Sequence, residues 1–525
     1  MVQEATATHV AKTLSLNNQR LFYAMVVLSI VPIWFGNKLP LVDLPQHAAQ
    51  VSALHEIWAG NSLFAESFHV NWFTPYLLGY LLLYVLSLAL PVTVASQLLV
   101  SVSVAAIPIV SGLLLRTAHG DERWRWLAIP CSYGFAFYWG FLSFIVSAPL
   151  VLLFLVQTIR YADAPTWQRT IGICLSSVFL FFCHVIVLGF ASFISLAFLL
   201  GRTWPDWKTL CLRALPYTTP IPLIIAWISL MYDREAAVQS DSIVFGPLWY
   251  RFLLLLVEPA GRESLNSAAI TVLVTTAVVL LPFMCGARIT RRPEKLLPFV
   301  AALAVFMLAP HHAMGTAYLY QRMGIFLVPL WLLIWERPSQ PRWNLDWAAM
   351  LIVTVWVLSN AARFAAFAKE TQDFRAVLDR AEPGKKLAGM IVDNSSPLFV
   401  FPVYLHFMAW YQAEKHGIAD FNFADFHPQM VRYNPAAGSR IDATLAWVPG
   451  AFDWEKHGGA GYDYFLVKSS FDASRGIFKE KQDSVALIAH SGWWWLYQNK
   501  QRADKNSLAF SRYDQQVLPE KSLAH

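Results

Sequence analysis

Leu21-Phe-Tyr-Ala-Met-Val-Val-Leu-Ser-Ile-Val-Pro-Ile-Trp-Phe35 is an apolar run, and Leu41-Val-Asp-Leu-Pro-Gln-His47 follows it closely. A membrane-spanning helix needs about 20 mostly apolar residues. The run follows a polar start carrying Lys12 and Arg20, and Asn37-Lys-Leu-Pro40 after it offers no small-residue cleavage site, so it reads as an uncleaved first helix. Outward from it, apolar blocks recur at about 74–90, 93–115, 126–140, 143–159, 170–200, 214–232, 268–286, 297–310, 319–335 and 344–363. Eleven spans are predicted, or thirteen as the alternative; the block 170–200 is long enough to be two short helices meeting at His184. Of 525 residues, 56% are hydrophobic and 14% charged, against roughly a quarter charged in soluble domains, which excludes a soluble globular protein.

Charge divides the chain. Residues 1–363 carry 22 basic and 16 acidic side chains, while residues 364–525 carry 18 of each in less than half the length. The predicted fold is therefore an α-helical polytopic membrane body, 1–363, with a C-terminal extracytoplasmic α/β domain, 364–525. The net charge of +6 lies wholly in the body and implies no nucleic-acid surface. Cys131, Cys174, Cys183, Cys211 and Cys285 lie in apolar or flanking stretches without CxxC or Cys/His spacing, which argues against a disulfide scaffold or structural zinc.

Arg288, Arg291, Arg292 and Lys295 crowd one short connection, and Arg337 and Arg342 another, marking both as cytoplasmic. Counting spans from there puts the N-terminus inside, and residues 37–73, 233–267 and the tail outside. The same count puts Arg116, Arg123 and Arg125 outside, against the rule. Three long outside segments are where function is expected. Within 233–267, Phe245 to Glu258 is apolar but only about 14 residues long, suited to lying at the interface. In the tail, 386–392 and 464–467 read as buried strands, 398–414 as a helix, and 485–488 with 494–497 as a hairpin turning at Ser491-Gly492.

Asp43 stands just beyond the first helix among apolar neighbours. Partial desolvation would raise its proton affinity and make it a base for a hydroxyl acceptor; as an Asp before Pro45, it equally reads as a helix N-cap. His47 is four residues on, able to share a face with it, and Gln46 adds a neutral donor and acceptor. As a metal pair they lack a third ligand nearby. Phe137-Tyr-Trp-Gly-Phe-Leu-Ser-Phe144 reads either as an interfacial aromatic belt or as the lip of a substrate site. His184 is an ionisable group in an apolar span, expensive there and a functional candidate, or else a satisfied structural histidine. Arg322, after Gln321, reads as a snorkelling anchor or as the fork that grips a phosphate. An outside carboxylate, an outside arginine and a long interfacial loop together describe a site for an anionic lipid head and a hydroxyl acceptor.

With Asp43 in Val42-Asp-Leu-Pro-Gln-His47, with Tyr138-Trp-Gly-Phe-Leu-Ser-Phe144, Phe182-Cys-His184 and Gln321-Arg322, and with Tyr462 to Val467 and His490 to Tyr497 in the tail, the chain resembles the lipid-phosphate-dependent GT-C glycosyltransferases. Val42 and Leu44 depart from a doubled acidic motif. The resemblance implies a sugar donor on polyprenyl phosphate or diphosphate, a lipid or glycan acceptor, contact with membrane lipids, and a bacterial inner membrane. It implies Asp43 as the catalytic base of an inverting displacement, and Gln46, His47, Trp139, His184, Gln321 and Arg322 as substrate-binding residues. A divalent cation, Mg2+ or Mn2+, is optional in such enzymes, and no DxD or paired-acid motif argues for one here. A transporter or flippase of a lipid-linked sugar, an envelope polysaccharide polymerase or ligase, and a non-catalytic scaffold are the competing readings. The chain shows no repeated halves of the kind transporters favour.

Overall fold

The computed structural model describes residues 18–235, 243–261, 268–336, 338, 345–435 and 440–503. Lys12, Arg337 and Arg342, and parts of the 233–267 segment, lie outside the described residues. The chain forms two compact units that interleave in sequence. The first is Met1–Leu44, Trp72–Ala368 and Pro397–Phe401, and the second is Pro45–Asn71, Lys369–Ser396 and Pro402–His525. Residues 45–71, read from sequence as a loop of the membrane body, thus group with the C-terminal residues.

The first unit is helical and apolar, and this is a membrane protein. Among the described residues four helices are long and apolar enough to cross a bilayer: Val92–Thr117, Leu142–Asp163, Val185–Thr203 and Asp346–Leu378. A fifth arises if Trp207–Thr218 and Ile221–Leu230, bent by 45°, are one span. Leu77–Ser87, Trp167–Cys183, Ala268–Met284 and Gly324–Leu333 are shorter apolar helices. The 170–200 block is indeed two helices, which end and begin at His184. The 126–140 block is no single helix. Pro130, Gly134 and Gly140 divide it into short helical pieces, Glu122–Ala128, Pro130–Tyr133 and Phe135–Trp139. Irregular backbone at membrane depth is tolerated only where protein covers it, and residues 124–139 are buried throughout.

One end of this unit gathers the basic connections. Asn18 donates to Asp346 at 2.9 Å, and the Arg125 guanidinium lies 4.0 Å over the Phe22 ring. Lys295 donates to the His119 carbonyl at 3.4 Å, and Arg202 pairs with Asp163 and Glu294 at 3.2 and 3.5 Å. Arg116, Arg123 and Arg125 therefore share a face with the 288–295 connection, which corrects the count that set them on opposite sides. The cause is Leu77–Ser87. Its 11 residues span about 16 Å at 1.5 Å per residue, short of the roughly 30 Å hydrocarbon layer. Just before it Phe73 packs near Phe181 and Phe182, within it Gly79 fits closely against Ser143, and beyond it Gln97 bonds the Ile33 and Gly36 carbonyls at the far end of the first helix. All these contacts lie at the end opposite the basic connections.

The second unit is built on a five-stranded mixed sheet: β1 (Lys386–Ile391), β2 (Ile418–Asp420), β3 (Tyr464–Lys468), β4 (Val485–Ser491) and β5 (Trp494–Asn499). The order is β4-β5-β3-β1-β2, with β1 parallel to β2 and β3, and β5 antiparallel to β3 and β4. The two buried strands and the hairpin at Gly492 stand where the apolar patterning put them. The predicted helix over 398–414 shortens to Ala409–Lys415, with turns over 403–408 before it. Buried amides join helix Leu44–Trp58 to this unit. Gln46 bonds the Phe421 carbonyl and the Phe423 N–H at 2.8 and 3.0 Å, Gln50 accepts from Val431 N–H at 2.9 Å, and Gln412 donates to the Ala49 carbonyl at 2.9 Å. Gln46 and Gln50, one turn apart, thus spend their polarity on backbone that would otherwise be buried unpaired.

Candidate functional site

The segment Tyr138-Trp-Gly140 explains how Asp43 is held. Val42 N–H donates to the Tyr138 carbonyl at 3.1 Å and Asp43 N–H to the Trp139 carbonyl at 2.9 Å. Gly140 makes this approach possible. It has φ +80°, and a Cβ there would lie 2.9 Å from the Asp43 nitrogen and 3.0 Å from the Leu44 nitrogen. The backbone of the aromatic run around the glycine is thus the cradle of the acidic loop. Tyr138 is anchored in turn by its hydroxyl, which donates to Asn360 at 2.6 Å.

Asp43 is only 7% exposed. Burial pushes its carboxyl from the ordinary value up to about 8, against the opposing pull of the Arg322 positive charge. Arg322, also buried, lies with its guanidinium 3.7 Å over the Phe141 ring and donates from Nη2 to the Ala317 carbonyl at 3.1 Å. It is hydrogen-bonded to the Tyr76 hydroxyl. Its Nε has no hydrogen-bond partner. A guanidinium held by aromatic faces, with donor capacity left over, is suited to an oxyanion.

His184 belongs to the same cluster. Its ring lies 4.7 Å from the Tyr76 ring and edge-on to Phe144 at 5.4 Å, and it feels the charge of Arg322. Trp139 packs against Tyr318 at 4.1 Å and stacks on Phe135 at 5.6 Å. Tyr318 and Tyr80 both sense the Asp43 carboxyl. Gln321 bonds His311 Nδ1 at 2.9 Å. The structure therefore places Asp43, Trp139, His184, Gln321 and Arg322 in the first unit, with Arg322 within electrostatic reach of both Asp43 and His184. Gln46 and His47 belong to the second unit, where Gln46 carries the amide bonds described above and the His47 ring lies edge-on to Phe423 at 5.7 Å.

Tyr76, Tyr80 and Tyr318 join the cluster without having been singled out in sequence. The spacing Tyr76-Leu-Leu-Gly-Tyr80 puts two hydroxyls on one helical face, a signal that is visible but common. Among the described residues no three His, Cys, Asp or Glu side chains gather as a metal-binding group. The cation whose charge the Asp43 carboxyl feels is the Arg322 guanidinium.

Neither a protein-family model nor a curated protein matches the sequence. Solved structures do. ArnT from Cupriavidus metallidurans bound to undecaprenyl phosphate matches with a TM-score of 0.54 over 91% of this chain and 97% of that one, at 12% identity. This chain has the ArnT fold. The same protein in its apo state matches with a TM-score of 0.52 over 92% and 98%, at 13% identity. The fold is carried by a sequence almost wholly different from that of ArnT.

Proposed function

We propose that this chain is a membrane glycosyltransferase that moves a sugar from a polyprenyl phosphate or diphosphate to a hydroxyl acceptor, inverting the anomeric carbon. The observation that carries the reading is the buried Asp43 carboxyl within electrostatic reach of the buried Arg322 guanidinium inside the ArnT fold, in which undecaprenyl phosphate has been seen bound to ArnT itself. Asp43 takes the acceptor's hydroxyl proton as the oxygen bonds to the anomeric carbon. The bond from that carbon to the donor's phosphate oxygen breaks, and its electron pair leaves with the phosphate. Arg322 receives that growing negative charge through directional N–H donors in a buried setting, where such donors act most strongly. A carboxyl with raised proton affinity is the stronger base once ionised, so its burial serves the chemistry.

Trp139 and Tyr318 offer an aromatic wall on which a sugar ring stacks. Positive-inside counting places the face with Arg116, Arg123, Arg125, Arg288, Arg291 and Arg292 in the cytoplasm. Asp43 and the second unit are then assigned to the outer side of a bacterial inner membrane, in cell-envelope glycan or glycolipid synthesis.

The test compares lipid extracts of cells lacking the endogenous protein and carrying either wild type or Asp43→Asn. Mass spectrometry is expected to show loss of a sugar-bearing product and accumulation of the polyprenyl-linked donor in the mutant, with the mass difference naming the sugar class. Matching extracts, with the donor merely redistributed across the membrane, would replace the transferase with a transporter.

A further inference from the structure

His184 is fully buried, and neither ring nitrogen has a hydrogen-bond partner. Buried polar atoms almost always have one. Backbone needs do not explain the residue: its N–H already donates to the Leu180 carbonyl at 2.9 Å, and its carbonyl accepts from Leu188 N–H at 3.0 Å. Nor does capping, because the 19-residue helix Val185–Thr203 that starts immediately after it has no side-chain N-cap. The residue nonetheless breaks an otherwise continuous apolar run, with φ −174° and ψ 117° between two helices. The break has two results at one point. It places an imidazole against Tyr76, and it starts a new helix whose positive end points back toward that imidazole. Arg322, hydrogen-bonded to Tyr76, contributes a second buried nitrogen without a partner, Nε.

We propose that His184, Arg322, Tyr76 and the N-terminus of helix Val185–Thr203 form one anion seat, and that its ligand is the phosphate of the polyprenyl carrier. The assignment rests on the glycosyltransferase reading and sharpens it by making His184 a phosphate donor rather than a wall residue. Helix N-termini favour anions through oriented N–H groups and the helix dipole. Here that weak preference coincides with two orphaned donors from separate elements, which an oxyanion satisfies together.

The test uses the full chain in lipid nanodiscs with undecaprenyl phosphate as probe and uncharged undecaprenol as control, binding being read by tryptophan fluorescence. His184→Ala is expected to weaken undecaprenyl phosphate by about tenfold or more, the usual worth of a hydrogen bond to a charged group, with undecaprenol unchanged. Arg322→Ala is expected to do the same. Equal losses for phosphate and alcohol in His184→Ala, or no loss, would overturn the seat. If Arg322→Ala weakens the phosphate and His184→Ala does not, the seat fails while the donor reading stands. If wild type does not prefer the phosphate to the alcohol, the donor reading itself fails. Should His184→Ala misfold, 15N-histidine spectra of wild type decide: titration with undecaprenyl phosphate is expected to shift one buried imidazole, and spectra that stay constant refute the proposal.

Discussion

Replacing Gly140 by alanine tests whether the aromatic segment cradles the acidic loop. Two costs are separable there. The first is backbone: φ +80° is a left-handed conformation that costs a non-glycine residue roughly 1–2 kcal/mol. The second is steric, because the new Cβ would sit 2.9 Å from the Asp43 nitrogen, where ordinary contact starts at 3.4 Å, so the loop must retreat by about half an ångström. That retreat pulls on the bonds from Val42 and Asp43 to the Tyr138 and Trp139 carbonyls. Each buried N–H left unpaired costs about 1–3 kcal/mol. Gly60 provides the control, with φ +77° and nothing within 4 Å of a built Cβ. Gly60→Ala should lose only the backbone cost and keep wild-type turnover. Gly140→Ala should lower turnover on the order of tenfold to a hundredfold, since a misplacement of about 1 Å costs that much, with undecaprenyl phosphate affinity little changed. The assay is sugar transfer in nanodiscs, with thermal unfolding measured on the same samples. Equal turnover in Gly140→Ala and Gly60→Ala would refute the cradle.

Asp43→Asn should reduce transfer by a factor of about 10²–10⁴ while retaining donor binding; normal turnover would remove Asp43 as base. Turnover of wild type should rise with pH toward about 8 as Asp43 ionises. Stability should move the other way. Because the folded carboxyl holds its proton up to about 8 and the unfolded one loses it near 3.8, stability is fully present below about 4, falls between these values and is flat above them, at up to roughly 1.4 kcal/mol per pH unit. The difference in unfolding temperature between wild type and Asp43→Asn across pH 4–9 reads this, and a constant difference would contradict a protonated buried Asp43. Gln46→Leu should destabilise the second unit by about 2–4 kcal/mol through its two lost buried bonds, seen in thermal unfolding. In intact cells, a maleimide should label Phe471→Cys, an exposed site, and reach Arg291→Cys only after permeabilisation, in a Cys211→Ser background; the reverse pattern would invert the proposed topology.

Much of the architecture was legible without coordinates. Low charge and long apolar blocks specify a membrane body, because hydrocarbon tolerates little else. Short apolar runs bounded by turn residues specify β1, β3 and the β4-β5 hairpin locally. His184 and Asp43 stood out for the same reason, as ionisable groups in apolar surroundings. Only the tertiary structure decided the rest. Whether Leu77–Ser87 crosses depends on what covers its ends, and that one decision set the side on which Arg116, Arg123 and Arg125 fall. Gln46 finds its partners more than 370 residues away, so no local pattern shows that residues 45–71 group with the C-terminal sheet. Tyr138-Trp-Gly140 looks aromatic in sequence, yet it holds the acidic loop through backbone carbonyls and a missing Cβ. Asp43 and Arg322 are 279 positions apart. A chain can write which residues are charged or apolar, but the raised proton affinity of Asp43 is a property of the burial that folding brings around it, against the opposing charge of Arg322.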